Sequence, residues 1–321
     1  MNSRPQITFI RTPETREQNQ IEKEALTLLV NKDYAALEAL AAKHRASKER
    51  YASGIWKLGI VYNGLEPSGD ASDAEWQARL DQIQDWIKAS PKAITPRVAS
   101  ARIIASYAWR ARGGATANEV KDASWQTFVA RLQKGSAYLD GAKRLQEKCP
   151  LYWSTLQRTA LGLQFDKQRY NAIFAQAIQE YPDYQYYYNA RAFFLLPRWY
   201  GDEGEWERDL AQSCDRIGGE AGDAIYARVF WELSHQVAKD VVPVLTLNKA
   251  TSERVEKGFV VILKKFPESQ AAKAAHVYLA AIVGDKEKAR NYLRETKGEV
   301  DAEFWSGEEG CRRFFNWVFS P

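Results

Sequence analysis

Apolar positions along this chain recur three and four residues apart, with short polar breaks between the runs. Residues at that spacing share one face of a helix. Ile21, Ala25, Leu28 and Leu29 form the first stripe. Leu37, Leu40 and Ala41 form the next, followed by Ile55, Leu58, Val61 and Tyr62. Trp76, Leu80, Ile83 and Trp86 continue the pattern behind Asp73, read as an N-cap. Further helices are predicted over Val98–Trp109, closed by Gly113-Gly114, and over 125–146, 151–163, 167–180 and 184–196. The pattern resumes over 205–217, 223–239, 253–266, 269–282, 285–296 and 310–319. Residues 1–18 carry Pro5 and Pro13 without a sustained period and read as an extended or flexible lead-in. Val241-Val-Pro-Val-Leu-Thr-Leu247 has β-branched residues around Pro243 and reads as a short extended connection. No pair of alternating strands with a hairpin turn occurs, so the chain is predicted to be all-α.

One phrase recurs at the ends of these runs: two apolar residues three apart, then a proline five residues on. Its copies are Ile83/Trp86/Pro91, Ala142/Leu145/Pro150, Phe174/Ala177/Pro182 and Phe259/Ile262/Pro267. Each reads as a helix that buries one side and stops at a residue unable to continue it. Recurrence of such a unit is the mark of stacked helical repeats. The unequal proline intervals make the array irregular. Residues 19–321 are therefore expected to be a single repeat domain, with a subdivision near 240–250.

Phe174-Ala-Gln-Ala177-Ile-Gln-Glu-Tyr-Pro182 is similar to the end of a tetratricopeptide repeat. Gly284-Asp-Lys-Glu-Lys-Ala289 resembles the turn that opens such a repeat's second helix. Tyr107-Ala-Trp-Arg-Ala-Arg-Gly113 and Phe194-Leu-Leu-Pro-Arg-Trp-Tyr-Gly-Asp-Glu-Gly-Glu-Trp206 resemble a bacterial group of tetratricopeptide-like proteins, largely a domain of unknown function. The resemblance spans about residues 30–235. It implies an irregular α-solenoid, a right-handed superhelix of antiparallel helix pairs. It supplies no reaction, and no catalytic residue is carried over from it.

Composition narrows the chemistry. With 45 basic and 41 acidic residues, the net charge of +4 does not by itself point to a nucleic-acid or anionic-membrane partner. Basic residues do not interleave with aromatics in a stripe, which further disfavours nucleic acid. No apolar run approaches the ~18 residues of a membrane span. Met1-Asn-Ser-Arg-Pro5 lacks a signal-peptide core, so the chain is expected to be soluble, either cytoplasmic or exported with its leader removed. Three cysteines at irregular spacing read as structural thiols, with Cys311 beside Arg312 and Arg313 the one candidate for reactivity. Three histidines stand outside any HExxH or Cys-pair context, and no phosphate-binding glycine loop or nucleophile elbow occurs. No metal and no cofactor is expected, and no catalytic residue is assigned. His276, on a small-residue helix face, reads as a packed or boundary residue. Asp70, Asp73 and Glu75 read as capping charges rather than a calcium loop, and Glu203 and Glu205 as helix-start charges rather than a hydrolytic pair.

Three clusters of aromatics and arginines remain. Trp109 with Arg112 closes one helix, Tyr187 with Arg191 lies one turn apart on another, and Arg198 with Trp199 sits in the glycine-bearing loop before Trp206. Side chains of this kind on a concave surface suit a peptide carboxylate or acidic side chain. Each cluster also has a purely structural account, as helix-terminal cations and aromatic plugs. The leading expectation is a non-enzymatic scaffold that binds a protein or peptide. The alternatives are an enzyme with a carboxylate-containing pocket between helices, or a structural subunit of an envelope or secretion assembly presenting aromatics around Phe314, Phe315 and Trp317.

Overall fold

A computed structural model describes residues 4–51, 53–113 and 120–320. Among them are fifteen α-helices, one 3-10 helix and a single pair of two-residue strands, so the chain is all-α. Gly114, expected to close a helix with Gly113, lies outside the described residues. The chain forms two compact units: one from Met1–Arg16, Tyr51–Ile55 and Arg191–Pro321, the other from Glu17–Arg50 and Trp56–Ala190. Residues 240–250 lie inside the first of these.

The helices are α1 (Pro13–Val30), α2 (Tyr34–Ser47), α3 (Lys57–Leu65), α4 (Asp73–Ala89), α5 (Thr95–Arg112), α6 (Asp122–Lys143), α7 (Pro150–Gly162), α8 (Lys167–Glu180) and α9 (Tyr186–Phe194). They continue with α10 (Glu205–Ile217), α11 (Gly219–Leu247), α12 (Lys249–Lys265), α13 (Gln270–Ile282), α14 (Lys286–Glu295) and α15 (Gly307–Phe319).

In the unit holding Trp56–Ala190, α5 packs on α4, α6 and α7, and α7 packs on α8. Contact on several sides explains why α5 is buried along most of its length, from Thr95 to Ala108. The cap of α4 is Ser72, one residue before the Asp73 expected from sequence. Its hydroxyl accepts from the Glu75 N–H, and the Glu75 carboxylate accepts from the Ser72 N–H at 2.7 Å. Asp73 instead pairs with Arg110 at 2.6 Å. Gly64 marks a close approach: a Cβ there would lie 2.3 Å from the Glu22 carbonyl oxygen. The Ala142/Leu145/Pro150 phrase does not close a helix. Helix α6 ends at Lys143 and Pro150 opens α7, where its missing N–H costs nothing.

In the other unit, α10 packs on α11, α11 on α12, α12 on α13, α13 on α14 and α14 on α15. The expected connection at 241–250 is helical through Leu247. Helix α11 runs past Pro243 and absorbs the disturbance at Val237, where φ is −151° and ψ 55°. A proline removes one backbone bond and crowds the preceding turn, so the break falls upstream of it. The lead-in is likewise more ordered than its composition suggests. Thr8–Phe9 pairs in parallel with Glu299–Val300, and α1 starts at Pro13. Buried Asp301 holds this segment, accepting from the Thr12 N–H at 2.8 Å and the Thr15 hydroxyl at 2.6 Å. Its core gathers Leu293, Val300, Trp305, Phe315 and Val318. Of the carboxy-terminal aromatics, Phe314 and Phe315 are buried and Trp317 is exposed.

Candidate functional site

Three consecutive helices bring together the most concentrated polar cluster beside open clefts. On α12, Val255, Phe259 and Ile262 are buried and Glu256 borders them. On α13, His276 stands beside the buried Val277 and is only 12% exposed. Asp285 caps α14 by accepting from the Lys288 N–H at 3.1 Å, which fixes Lys288 in the first turn. His276 Nε2 lies 2.7 Å from Glu256 Oε2, and Lys288 Nζ lies 2.7 Å from Glu256 Oε1. Lys288 Nζ is also 3.2 Å from His276 Nε2.

These distances fix the proton. An ionised carboxylate only accepts, so Nε2–H must donate to Glu256, and the lysine's approach to Nε2 is electrostatic contact rather than a second hydrogen bond. The hydrogen bond from His276, reinforced by Lys288, pulls the Glu256 carboxyl down to about 2 against the opposing effect of burial. The imidazole stacks on Phe259, with ring centroids 5.4 Å apart and planes 12° apart. Its orientation is therefore set from the face as well as the edge.

Two clefts share this cluster. One, of about 490 Å³, is lined by Lys273, Val277, Asn291 and Tyr292 together with His276 and Lys288. The other, of about 430 Å³, is predominantly apolar: Leu245, Val255, Phe259, Leu279, Ala280 and Val283 line it, with Ser252 and Glu253. Both volumes are in the range that small ligands or single peptide side chains fill. Ser252 gives its hydroxyl to the carbonyls of Leu245 and Asn248, so it is not aligned with the imidazole. Both oxygens of the Glu256 carboxylate are paired, and the arrangement suits recognition of an apolar group next to a fixed charge pattern. Among the described residues no group of three or more His, Cys, Asp or Glu could hold a metal ion.

The residues singled out from sequence lie elsewhere. Tyr187, expected on a groove wall, is instead fully buried. Its hydroxyl donates to the Pro150 carbonyl at 2.8 Å, and burial raises its phenol far above the ordinary range. Of its neighbours, Tyr184 and Tyr188 are buried too, and Tyr186 is half-buried. Arg191 forms a two-pronged pair with Asp209, Nε to Oδ2 and Nη2 to Oδ1, each at 2.6 Å. Arg198 lies 3.5 Å from Asp240, and its guanidinium sits 5.3 Å from the Phe193 ring centre. Trp199 packs on the same Phe193 ring at 5.8 Å. Trp109 meets Phe128 edge-on at 4.9 Å, with the Arg112 guanidinium 5.5 Å from the indole. Arg198 is thus brought together with Trp199, and Trp109 with Arg112.

Sequence reading missed Glu256 and Lys288 because they stand 20 and 12 residues from His276 on different helices. The available signal was the Gly284-Asp285 turn, which places Lys288 at a defined position after a cap. Cys311 is corrected as a reactive candidate: it is buried, and burial pushes its thiol up to about 12, outweighing Arg312. No family model matches the chain, and no curated protein and no solved structure matches it.

Proposed function

We propose that this protein is a non-enzymatic scaffold that binds a peptide or protein segment on surfaces between stacked helices, built as an irregular tetratricopeptide-like α-solenoid. The serial packing of α4 through α8 in one unit and of α10 through α15 in the other supports the stacking. One observation carries the function: the open apolar cleft between α12 and α13, bordered by Glu256, His276 and Lys288, whose charges already satisfy one another. Such a cleft rewards an inserted apolar side chain without demanding chemistry from its rim. Arg198 with Trp199, and Trp109 with Arg112, are further contact candidates. Tyr187 and Arg191 support the scaffold from within.

Selection from a displayed random-peptide library tests this. Peptides that enrich on the wild type should bind Val283→Asp about tenfold more weakly, since Val283 is 41% exposed and lines the cleft. Failure of any sequence to enrich, or equal binding to the variant, refutes the reading. The carboxylate in this cleft also supports a second reading, an enzyme using Glu256 through His276, whose Nδ1 makes no hydrogen bond. Turnover of a hydrolase substrate panel that disappears in Glu256→Gln would replace the first reading with this one.

A further inference from the structure

A run of aromatic rings crosses three helices of the unit containing Arg191–Pro321. Trp231 on α11 lies 5.6 Å from Tyr278 on α13, Tyr278 lies 5.1 Å from Phe314 on α15, and Phe314 lies 5.8 Å from Trp317. His235 sits against Trp231 at 4.0 Å. Phe314 is the buried keystone of the run. Trp231 and Tyr278 are half-buried, while His235 and Trp317 are exposed. Core aromatics do not need to surface in sequence like this, and the polar edges add a second peculiarity. The indole N–H groups of Trp231 and Trp317 and the hydroxyl of Tyr278 make no hydrogen bond in the structure, and none is among the sealed polar atoms of the interior.

We infer that this ladder is a docking platform for a proline-rich segment in the polyproline II conformation. Four properties of the surface fit that occupant. Proline rings are rigid, apolar and matched to the faces of aromatic side chains, and their chain enters the complex already extended, with little entropy to lose. A polyproline II backbone makes no internal hydrogen bonds, and a proline has a carbonyl but no N–H. It therefore offers acceptors only, which is what two indole N–H groups and a phenol hydroxyl can use. Spacing agrees as well. The two steps from Tyr278 through Phe314 to Trp317, 5.1 and 5.8 Å, span at most about 11 Å. One polyproline turn advances about 9 Å.

A charge at one end gives the platform a direction. Lys286 covers the Trp317 end, its amine 4.6 Å from that ring centre. The segment is accordingly one with an acidic flank at the Trp317 end. This rests on the reading of the chain as a peptide-binding scaffold, but on a surface whose residues do not line the α12–α14 clefts.

The probe is a blocked peptide of about ten prolines, roughly three polyproline turns, with glutamate at one end. A glycine–serine peptide with the same flank is the control. Binding is followed by calorimetry on the full chain. Tyr278→Phe keeps the ring and loses only the hydroxyl, and Trp317→Ala removes an exposed side chain; thermal melts establish that each folds. The proline probe should bind at least about tenfold tighter than the control, and Trp317→Ala should erase most of that difference. Tyr278→Phe should cost a few-fold, and Lys286→Met should weaken the probe while sparing a variant lacking its glutamate. Equal affinity for the two peptides, or indifference to both ring variants, overturns the inference. So does binding of chito-oligosaccharide in preference to the proline probe, which would make the ladder a sugar platform. Val283→Asp separates the two claims. If library peptides still require Val283 while the proline probe fails, the ladder alone is wrong. If neither binds, peptide recognition itself is wrong.

Discussion

Glu256 links the candidate site to the stability of its unit, and its charge offers a quantitative test. The folded carboxyl titrates at about 2 against an ordinary 4.5, held down first by the His276 hydrogen bond and then by Lys288. A depression of this size corresponds to about 3 kcal/mol if the surroundings were wholly screened from water. The side chain is 44% exposed, so solvent screening reduces the usable part to roughly 1 kcal/mol. Because the unfolded carboxyl takes up its proton first on acidification, this contribution is present in full above about pH 4.5. It is lost as the pH falls through about 2.

Glu256→Gln keeps the shape and removes the charge. Urea unfolding of wild type and variant, at fixed ionic strength and followed by circular dichroism, should differ by roughly 1 kcal/mol near neutral pH. The gap should hold down to about pH 5, then narrow, and close near pH 2 with unchanged slopes. Lys288→Met should cost less in the Glu256→Gln background than in the wild type, because its partner charge is already gone. A gap that stays constant across the acid range, or a Lys288→Met cost identical in both backgrounds, refutes the assignment of Glu256 as the ionised centre of the cluster.

What the sequence discloses about this chain follows the range over which its forces act. Helices announce themselves because a buried stripe repeats every turn, and α8, α10 and α13 fall within a residue or so of their predicted bounds. The cap of α4 was misplaced by one residue, since Ser72 and Asp73 are both good caps and only the hydroxyl's bond to the Glu75 N–H separates them. Pro150 misled for a related reason: a proline is as welcome at the first position of a helix as just past the last. The lead-in could not be read locally at all, because the carboxylate that holds Thr12 and Thr15 belongs to Asp301, 289 residues from Thr12. Helix α11 outran its sequence signal because burial of Val241 and Leu245 offsets the local cost of Pro243. The candidate site was illegible on the same grounds. Three separate helices each contribute one polar residue, and no spacing within one helix encodes their meeting. The Trp- and Arg-rich phrases, conspicuous in the sequence, are largely spent on packing: Phe194 stacks on Tyr200 at 4.6 Å, and Trp206 is buried against Phe230.

Three further tests address the scaffold. Ser72→Ala removes one half of the capping box and should lower stability by about 1 kcal/mol, read as a shift in urea midpoint; no shift would deny the cap its role. Gly64→Ala should cost at least about 2 kcal/mol, because its methyl would meet backbone rather than a side chain able to move aside, and a melting temperature equal to wild type would contradict the close approach. The thiols give the sharpest contrast between local sequence and folded environment. Arg312 beside Cys311 suggests an activated thiolate, yet its guanidinium is directed over the Phe9 ring at 4.7 Å, and burial carries the thiol to about 12. Cys214 is pushed to about 12 by burial as well, and Cys149 is raised in the same direction. At about pH 8 a thiol of that kind is ionised in roughly one molecule in ten thousand, and the reagent must also wait for the fold to open. A disulfide reagent should therefore modify the native protein slowly, at a rate set by opening, and should titrate all three cysteines promptly in denaturant. Stoichiometric reaction of Cys311 in the native state within the mixing time would show that its arginine neighbours, not its burial, govern its chemistry.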